Sequence, residues 1–335
     1  MLQITSLFTP LKAEGWHITV NTTPGGYDVL KSDPLVDDFI LQNRNQVPNL
    51  ELGQYWERMA QEFDKSINLS GAVEGQLLAV GERIEVINGK EGLVPPKEEW
   101  YWSHEKRHAL MNRNYVENIH RMAGVPFEKP EIRFVASSME KYWARKTRRQ
   151  MLKSGHVNKL VMWVLSGSSL HKAYPWTDVV IAGTLLKNKD IGFVLVGDDM
   201  CRILQAGWQD AKQVFAKAGE WSVRRTLTFA KHAADVVVGP ETGVLNCVSM
   251  DEHIEKVVLM SHSSVENLTR DWANTHSVKP TVKDVPCHPC HQMHYTKCPN
   301  TDNVTSCAMC ATMISPLEIQ GHITGERLSG HVHLS

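Results

Sequence analysis

Three loops in the second half of the chain combine small, hydroxyl-bearing and charged residues that suit a phosphate-containing ligand. Ser166-Gly167-Ser168-Ser169-Leu170-His171-Lys172 offers close backbone approach, hydroxyl donors and a lysine cation. Gly239-Pro240-Glu241-Thr242-Gly243 opens a predicted helix, whose free N–H groups favour a diphosphate. Gly197-Asp198-Asp199 carries acids of the kind that hold ribose hydroxyls. The loops at Ser166–Lys172 and Gly197–Asp199 also have a purely structural interpretation, as a turn with a helix cap and as a helix N-cap.

The cysteines form a second candidate site. Five of the seven lie between Cys287 and Cys310, in two C-x2-C pairs with Cys298 between them. Thiolates at this spacing match tetrahedral zinc, so we predict a structural zinc site. The predicted ligands are Cys287, Cys290, Cys298 and Cys310, with Cys307 or His291 as the replacements. Buried free thiols and a nucleic-acid-binding zinc ribbon are the alternatives, and the weak local charge disfavours the ribbon.

Alternating strands and helices position the three loops. Leu160–Leu165 is a continuous apolar run, which is typical of a strand buried on both faces of a parallel sheet. Further strands are predicted at Ile191–Val196, Ala234–Val238 and Lys256–Met260, and helices at Tyr174–Lys187, Met200–Phe215, Trp221–His232 and Gly243–Met250. This alternation predicts βαβ units, and in such sheets ligands lie beyond the carboxyl ends of the strands.

The loop after the last of these strands adds two candidate contacts, His262 and Asn267. A histidine after a strand is more commonly a hydrogen-bonded loop residue, and that alternative stays open here.

The first half of the chain is less regular. We predict strands at Trp16–Val20 and Ser66–Leu69, and helices at Val29–Ile40, Gln54–Phe63, Lys106–Met122 and Met139–Met151. The last helix is basic, which favours a solvated face over phosphate or membrane contact. A break near Ser154-Gly155 divides the chain into domains 1–153 and 154–335, with a Cys-rich insert at 287–310.

Composition excludes several classes of protein. The chain has 335 residues, 36 Lys and Arg against 37 Asp and Glu, and 42% hydrophobic residues. A net charge of −1 argues against a basic field for nucleic acid, and the apolar content argues against disorder. No apolar run approaches the ~18–20 residues of a membrane-spanning helix, and the start lacks a signal-peptide pattern. These features predict a soluble cytoplasmic protein of about two domains.

Several segments resemble the glycosyltransferase family 9 heptosyltransferases. Ala234–Asn246 is similar to their donor-site motif, which usually has Asp-Thr-Gly followed two residues on by His. Ser166–Pro175 resembles their phosphate loop, which ends in Lys-x-Trp-Pro. Leu7–Lys12 and Phe63–Leu69 fit the family's first helix and its Tyr-Asp-x-x-Ile-Asn-Leu segment. The resemblance covers most of the chain and is strongest over 160–275.

The resemblance implies an α/β fold of the GT-B class, with two Rossmann-like domains whose parallel sheets face each other across a cleft. The N-terminal domain would bind the acceptor and the C-terminal domain the donor. The implied reaction is inverting transfer of a heptose-like or other sugar from a nucleotide-diphosphate sugar, most commonly an ADP-sugar, to an acceptor hydroxyl. No catalytic metal is expected, and the expected location is the cytoplasm or the inner membrane face. The acceptor is left open among glycans, proteins and modified DNA.

The same resemblance assigns donor-binding residues by position. It places Ser168, Ser169 and Lys172 on the diphosphate, Asp198 near the ribose, Ser222 beside the base, and Glu241, Thr242 and Gly243 around the sugar and phosphates. Glu241 stands where the family has Asp, and Asn246 where it has His, so both are expected to tune which sugar is accepted. A lysine and helix-end amides would stabilise the negative charge on a departing diphosphate.

The family's catalytic aspartate has no counterpart in this sequence. The family begins with a strand, a Gly-rich loop and this Asp, and Met1 aligns just after it. We therefore expect the first strand and the general base to lie upstream of Met1, and we leave the catalytic base unassigned. Asp28, Glu74 and His104 are unranked substitutes. The alternative function is a catalytically inactive relative that binds sugar-nucleotide or glycan, or a structural partner.

Overall fold

A computed structural model describes residues 1–43, 46–48, 51–87, 90–167, 172–295 and 298–326. The strands are β1 Thr19–Thr22, β2 Asp38–Leu41, β3 Ala79–Val80, β4 Arg83–Ile87, β5 Lys90–Val94, β6 Lys159–Val164, β7 Ile191–Val196, β8 Val214–Ala216, β9 Val236–Pro240, β10 Glu255–Leu259, β11 Thr275–Val278 and β12 Gln292–Met293. The helices are α1 Phe8–Ala13, α2 Pro24–Leu30, α3 Leu52–Ala60, α4 His104–Met111, α5 Tyr115–Ala123, α6 Ser138–Gly155, α7 Thr177–Lys187, α8 Val223–Ala233, α9 Gly243–Val248, α10 Val265–Leu268, α11 Met309–Thr312 and α12 Pro316–Thr324, with 3₁₀ helices at Leu2–Leu7, Glu98–Tyr101 and Met200–Trp208.

The chain divides into two compact units. The first comprises Met1–Val135, Glu266–Arg270 and Cys290–Thr296, and the second comprises Ala136–Val265, Asp271–Pro289 and Lys297–Ser335. The division after Val135 assigns α6 to the second unit, whereas the sequence analysis placed the break after residue 153. Ion pairs explain this assignment, because α6 is tied to α8 by Glu140–Arg224 and to Asp235 by Arg148.

A six-stranded parallel sheet forms the centre of the second unit, in the order β11-β10-β9-β6-β7-β8. Its inner strands are buried on both faces, which explains why they are almost continuously apolar. Trp163, Phe193 and Val238 pack in one cluster with Ile319 and Ile323 of α12. Helix α6 packs on α8 and contacts β6 and β7.

The predicted elements of this unit are largely confirmed. β7 covers Ile191–Val196 as predicted, and β6, β9 and β10 lie within two residues of their predicted bounds. The helix predicted over Met200–Phe215 is wrong, because a 3₁₀ helix ends at Trp208 and residues 214–216 form β8 beside β7. Gln205 ties this 3₁₀ helix to the segment after β8, since its side chain accepts from Ala218 N and donates to Ala218 O.

The first unit contains small described sheets: the parallel pair β1–β2, the parallel pair β3–β12 and the antiparallel pair β4–β5. Its helix α5 packs against the 3₁₀ helix Leu2–Leu7, where the ring of His120 lies 3.1 Å from Ser6 Oγ. Among the described helices, none is long and apolar enough to cross a membrane.

Several predictions for the first unit are wrong. The helix predicted over Val29–Ile40 does not form, because α2 ends at Leu30. Pro34 disfavours helical conformation at Asp33, the residue that precedes it. The predicted helix Lys106–Met122 is two helices, because Asn114 caps α5 by accepting from Val116 N and Glu117 N. Ser66–Leu69 is not a strand, whereas α3 confirms most of the helix predicted at Gln54–Phe63.

Candidate functional site

The strand order of the large sheet determines which predicted loops are neighbours. From β6 the chain proceeds to β7 and β8 on one side, then crosses to β9, β10 and β11 on the other. The connections therefore reverse direction between β6 and β9, which is the position where ligands bind in open α/β sheets. The loops that follow these two strands begin at Leu165 and Glu241.

Lys172 joins these two loops. Its side chain is buried, and its ammonium Nζ donates to the backbone oxygen of Glu241 at 2.9 Å. Gly167 makes room for this side chain, since a Cβ there would lie 2.6 Å from Lys172 Cδ. The structure thus holds a buried cation beside the ends of β6 and β9, where the strand connections change direction.

Glycine is also needed within β9. A Cβ on Gly239 would lie 2.7 Å from Val164 Cβ and 3.1 Å from Val164 O on the adjacent strand β6. Gly239 therefore allows the two strands to approach closely just before the loop that contains Glu241.

Glu241 is buried, and both of its carboxylate oxygens accept hydrogen bonds. Oε1 accepts from the backbone N–H groups of Ser261 at 2.9 Å and Ser263 at 3.2 Å. Oε2 accepts from Ser263 Oγ at 3.1 Å and lies 2.9 Å from His262 Nδ1. The carboxylate therefore ties the β9 loop to the loop that follows β10.

Electrostatics keep this buried carboxylate ionised. Burial alone would raise the pKa of Glu241, but the His262 imidazole, the Lys172 ammonium and the Ser261 amide together lower it well below its usual range. Glu241, Lys172 and His262 thus form a buried charged cluster at the sheet edge.

The remaining predicted donor residues in this loop lie at the start of α9. Gly243 is exposed, and a Cβ there would meet nothing within 4 Å. The hydroxyl of Thr242 is buried without a hydrogen-bond partner among the described residues. Asn246 donates through Nδ2 to Thr242 O at 2.9 Å, so its amide orders the first turn of the helix.

Asp198 and Ser222 each accept a backbone hydrogen bond at the start of a helix. Asp198 is exposed, and its Oδ1 accepts from Cys201 N at 3.1 Å at the start of the 3₁₀ helix Met200–Trp208. Ser222 is exposed, and its hydroxyl accepts from Arg225 N at 3.3 Å at the start of α8. The contact of Asp198 agrees with its structural interpretation, and a role of either residue towards a donor stays a prediction. Ser168 and Ser169 lie outside the described residues.

His262 and Asn267 differ in their positions. His262 belongs to the charged cluster at the sheet edge, through its contact with Glu241. Asn267 is fully buried in the first unit and donates to Met111 O and Arg113 O, each at 2.8 Å. Its amide therefore supports the connection between α4 and α5.

The serines that flank His262 were not among the predicted site residues. Ser261 and Ser263 hold Glu241 in place. The sequence pattern that could have indicated them is the polar run Ser261-His262-Ser263-Ser264 directly after a strand. Nothing local linked this run to a glutamate 20 residues earlier.

The predicted zinc ligands are divided between the units, with Cys290 in the first and the other three in the second. Asn300 Nδ2 donates to Cys287 Sγ at 3.4 Å, and Cys298 Sγ contacts Asn300 O at 3.6 Å. Burial raises the pKa of the Cys298 thiol, as does nearby Cys287. Among the described cysteines of the second unit, no three sulfurs lie within 4.8 Å of one another. Zinc binding by these cysteines stays a prediction.

The three substitutes for the catalytic base lie in the first unit. Asp28 of α2 pairs with Lys31, the residue after the helix, at 2.6 Å. Glu74 is exposed, and His104 begins α4, where its ring stacks on His108. None of these contacts singles out a base.

Comparisons with known proteins establish the fold. Neither the models of known protein families nor the curated protein sequences gave a match. The chain is similar to the solved structure of E. coli ADP-heptose LPS heptosyltransferase II, with a TM-score of 0.61, 14% identity, and coverage of 97% of this chain and 94% of that one. It is also similar to a glycosyl transferase family 9 structure from Veillonella parvula DSM 2008, with a TM-score of 0.56, 11% identity, and coverage of 92% and 91%. These likenesses confirm the predicted α/β fold of the GT-B class and, at the level of the fold, the resemblance to heptosyltransferases.

Proposed function

We propose that this chain is a glycosyltransferase that moves a sugar from a nucleotide-diphosphate sugar to an acceptor hydroxyl, as family 9 heptosyltransferases do. Support comes from the fold, which it shares over 97% of its length with an ADP-heptose LPS heptosyltransferase. The observation that carries the proposal is the buried Lys172 ammonium beside β6 and β9, the two strands between which the chain connections change direction.

The chemistry of the reaction favours a cation at this position. The acceptor oxygen bonds to the anomeric carbon as the bond from that carbon to the phosphate oxygen breaks, and the acceptor proton passes to a base. The configuration at the carbon inverts, and negative charge builds on the departing nucleoside diphosphate. A fixed lysine stabilises this charge in a poorly hydrated site, and the step needs no divalent metal.

Glu241 is proposed to act on the donor indirectly. Its carboxylate accepts from the 261–263 loop, and its backbone oxygen accepts from Lys172. It therefore positions the lysine and His262. An ADP-sugar is the donor that the heptosyltransferase likeness favours, and a hydroxyl of a glycan is the acceptor.

The test replaces the cation and keeps the shape of its side chain. Lys172→Met retains the apolar stem, and Lys189→Met makes the same change at an exposed lysine between α7 and β7 as a matched control. Loss of charge-assisted hydrogen bonds is expected to weaken ADP and UDP binding about 10- to 100-fold, measured by calorimetry. The control should bind as the unmodified protein does.

Two results would contradict the proposed function in different ways. Unchanged nucleotide binding by Lys172→Met would overturn the donor-site assignment. Tight binding of ADP-sugars by the unmodified chain, without donor hydrolysis or transfer, would identify an inactive sugar-nucleotide-binding relative instead.

A further inference from the structure

A group of potential metal ligands lies at the opposite edge of the large sheet from the proposed donor site. Glu255 is the first residue of β10, His276 is the second residue of β11, and His322 belongs to α12. One carboxylate oxygen and one nitrogen from each ring all lie within 4.8 Å of one another. Three separate elements of the second unit thus bring their ligand atoms to one point.

The strand register explains two of the three positions. His276 pairs with Val257 of the neighbouring strand, and Glu255 lies two residues before Val257. Side chains two residues apart on a strand point to the same face, so Glu255 and His276 project from the sheet together. His276 Nε2 lies 3.2 Å from Glu255 Oε1.

Helix α12 supplies the third group on that face. Ile319 and Ile323 anchor the helix in the core, and His322 stacks on His276 with ring centroids 4.0 Å apart and planes at 21°. All three ligand residues are partly exposed, so an ion from solvent can reach them.

Lys159 organises the carboxylate. Its Nζ donates to Ile323 O at 2.7 Å and lies 3.8 Å from Glu255 Oε2. This contact faces one carboxylate oxygen, while the other oxygen faces His276. Outer contacts to the non-ligating oxygen commonly orient carboxylate ligands, and this ion pair is such a contact.

We propose that Glu255, His276 and His322 bind a divalent transition-metal ion, with zinc as the best match. Two imidazoles and one carboxylate are a known zinc ligand set that leaves a fourth position for water. At zinc–ligand distances of about 2.0–2.2 Å, tetrahedral ligand atoms lie about 3.3 Å apart, a spacing that His276 and Glu255 already have. Binding requires the His322 ring to turn out of its stack, and the ion then ties α12 to β10 and β11.

The test measures zinc uptake by the purified protein without an added histidine tag, in competition with a chromophoric chelator. The unmodified chain should take up one more zinc ion than His276→Gln or His322→Gln, and Glu255→Gln should weaken that site at least ~10-fold. His253→Gln, an exposed histidine two residues from Glu255, is the matched control and should bind normally. Equal zinc uptake and affinity in all variants would overturn the proposal, since the ion would then be bound elsewhere.

A second measurement does not depend on the variants folding. In the unmodified protein, zinc should shift the ring resonances of His276 and His322 in NMR spectra, because coordination breaks their stacking. Titration with zinc that leaves both sets of resonances in place would refute the site even if the variants failed to fold.

Discussion

Replacing Glu241 with Gln probes the charged cluster at the sheet edge directly. Gln has nearly the same shape, so Glu241→Gln removes the negative charge while leaving the packing in place. In the native protein, the carboxylate accepts from Ser261 N, Ser263 N and Ser263 Oγ and pairs with His262. The amide that replaces one oxygen carries donors, so it opposes the N–H of His262.

The magnitude follows from these contacts. A hydrogen bond to a charged group contributes about 1.5–3 kcal/mol, against about 0.5–1.5 kcal/mol for a neutral one. Neutralising all four contacts costs about 4–6 kcal/mol on this basis, and relief from burying the charge offsets part of that. We expect the free energy of unfolding of the second unit to fall by about 2–4 kcal/mol at pH 7.

The effect depends on pH in a defined direction. Because the pKa of Glu241 is lowered on folding, its ionised form stabilises the native state above the unfolded pKa of about 4.3. This contribution is lost as the pH falls from there towards the lowered folded pKa. The difference in stability between the native protein and Glu241→Gln should therefore be complete at pH 7 and shrink below about pH 4.

The assay is urea unfolding followed by tryptophan fluorescence at pH 7 and at about pH 3, below the unfolded pKa of the carboxyl group. The control is Glu220→Gln, which removes an exposed carboxylate paired with Lys217 at 2.7 Å and should change stability by less than about 0.5 kcal/mol. If Glu241→Gln unfolds at the same urea concentration as the native protein at pH 7, the charge of Glu241 does not organise this edge.

Two further predictions concern the sheet and the cysteines. Gly239→Ala should lower the free energy of unfolding by about 1–3 kcal/mol in urea melts, because its Cβ would meet Val164. The control Gly207→Ala, with open space around it, should leave the free energy of unfolding unchanged or slightly higher. Equal effects of the two substitutions would contradict the close approach of β6 and β9. The four cysteines Cys287, Cys290, Cys298 and Cys310 of the purified protein should hold about one zinc ion, besides any ion bound by Glu255, His276 and His322. Chelation should increase proteolysis of the 287–310 segment without abolishing nucleotide binding, and elemental analysis that finds no zinc under reducing conditions would refute the cysteine site.

The alternation of strands and helices in the second unit was readable from the sequence. Runs such as Leu160–Leu165 and Ile191–Val196 are apolar throughout because both faces of these strands are covered. The loops after β6 and β9 were identified for the same reason, since the carboxyl ends of parallel strands share one edge. Local hydrogen-bonding preferences also indicated that Asp198 could serve as a helix cap.

Tertiary structure alone decided which of these loops are neighbours and what their side chains do. Strand order, with β9 beside β6, places Lys172 on the backbone of Glu241, and it brings the Ser261–Ser263 segment to the carboxylate. The same order gathers Glu255, His276 and His322 at the other edge. Hydrophobic periodicity reports how each segment is buried but carries no information about its partner. Contacts between residues far apart in sequence depend on how complete elements pack, and that is settled when the whole sheet forms.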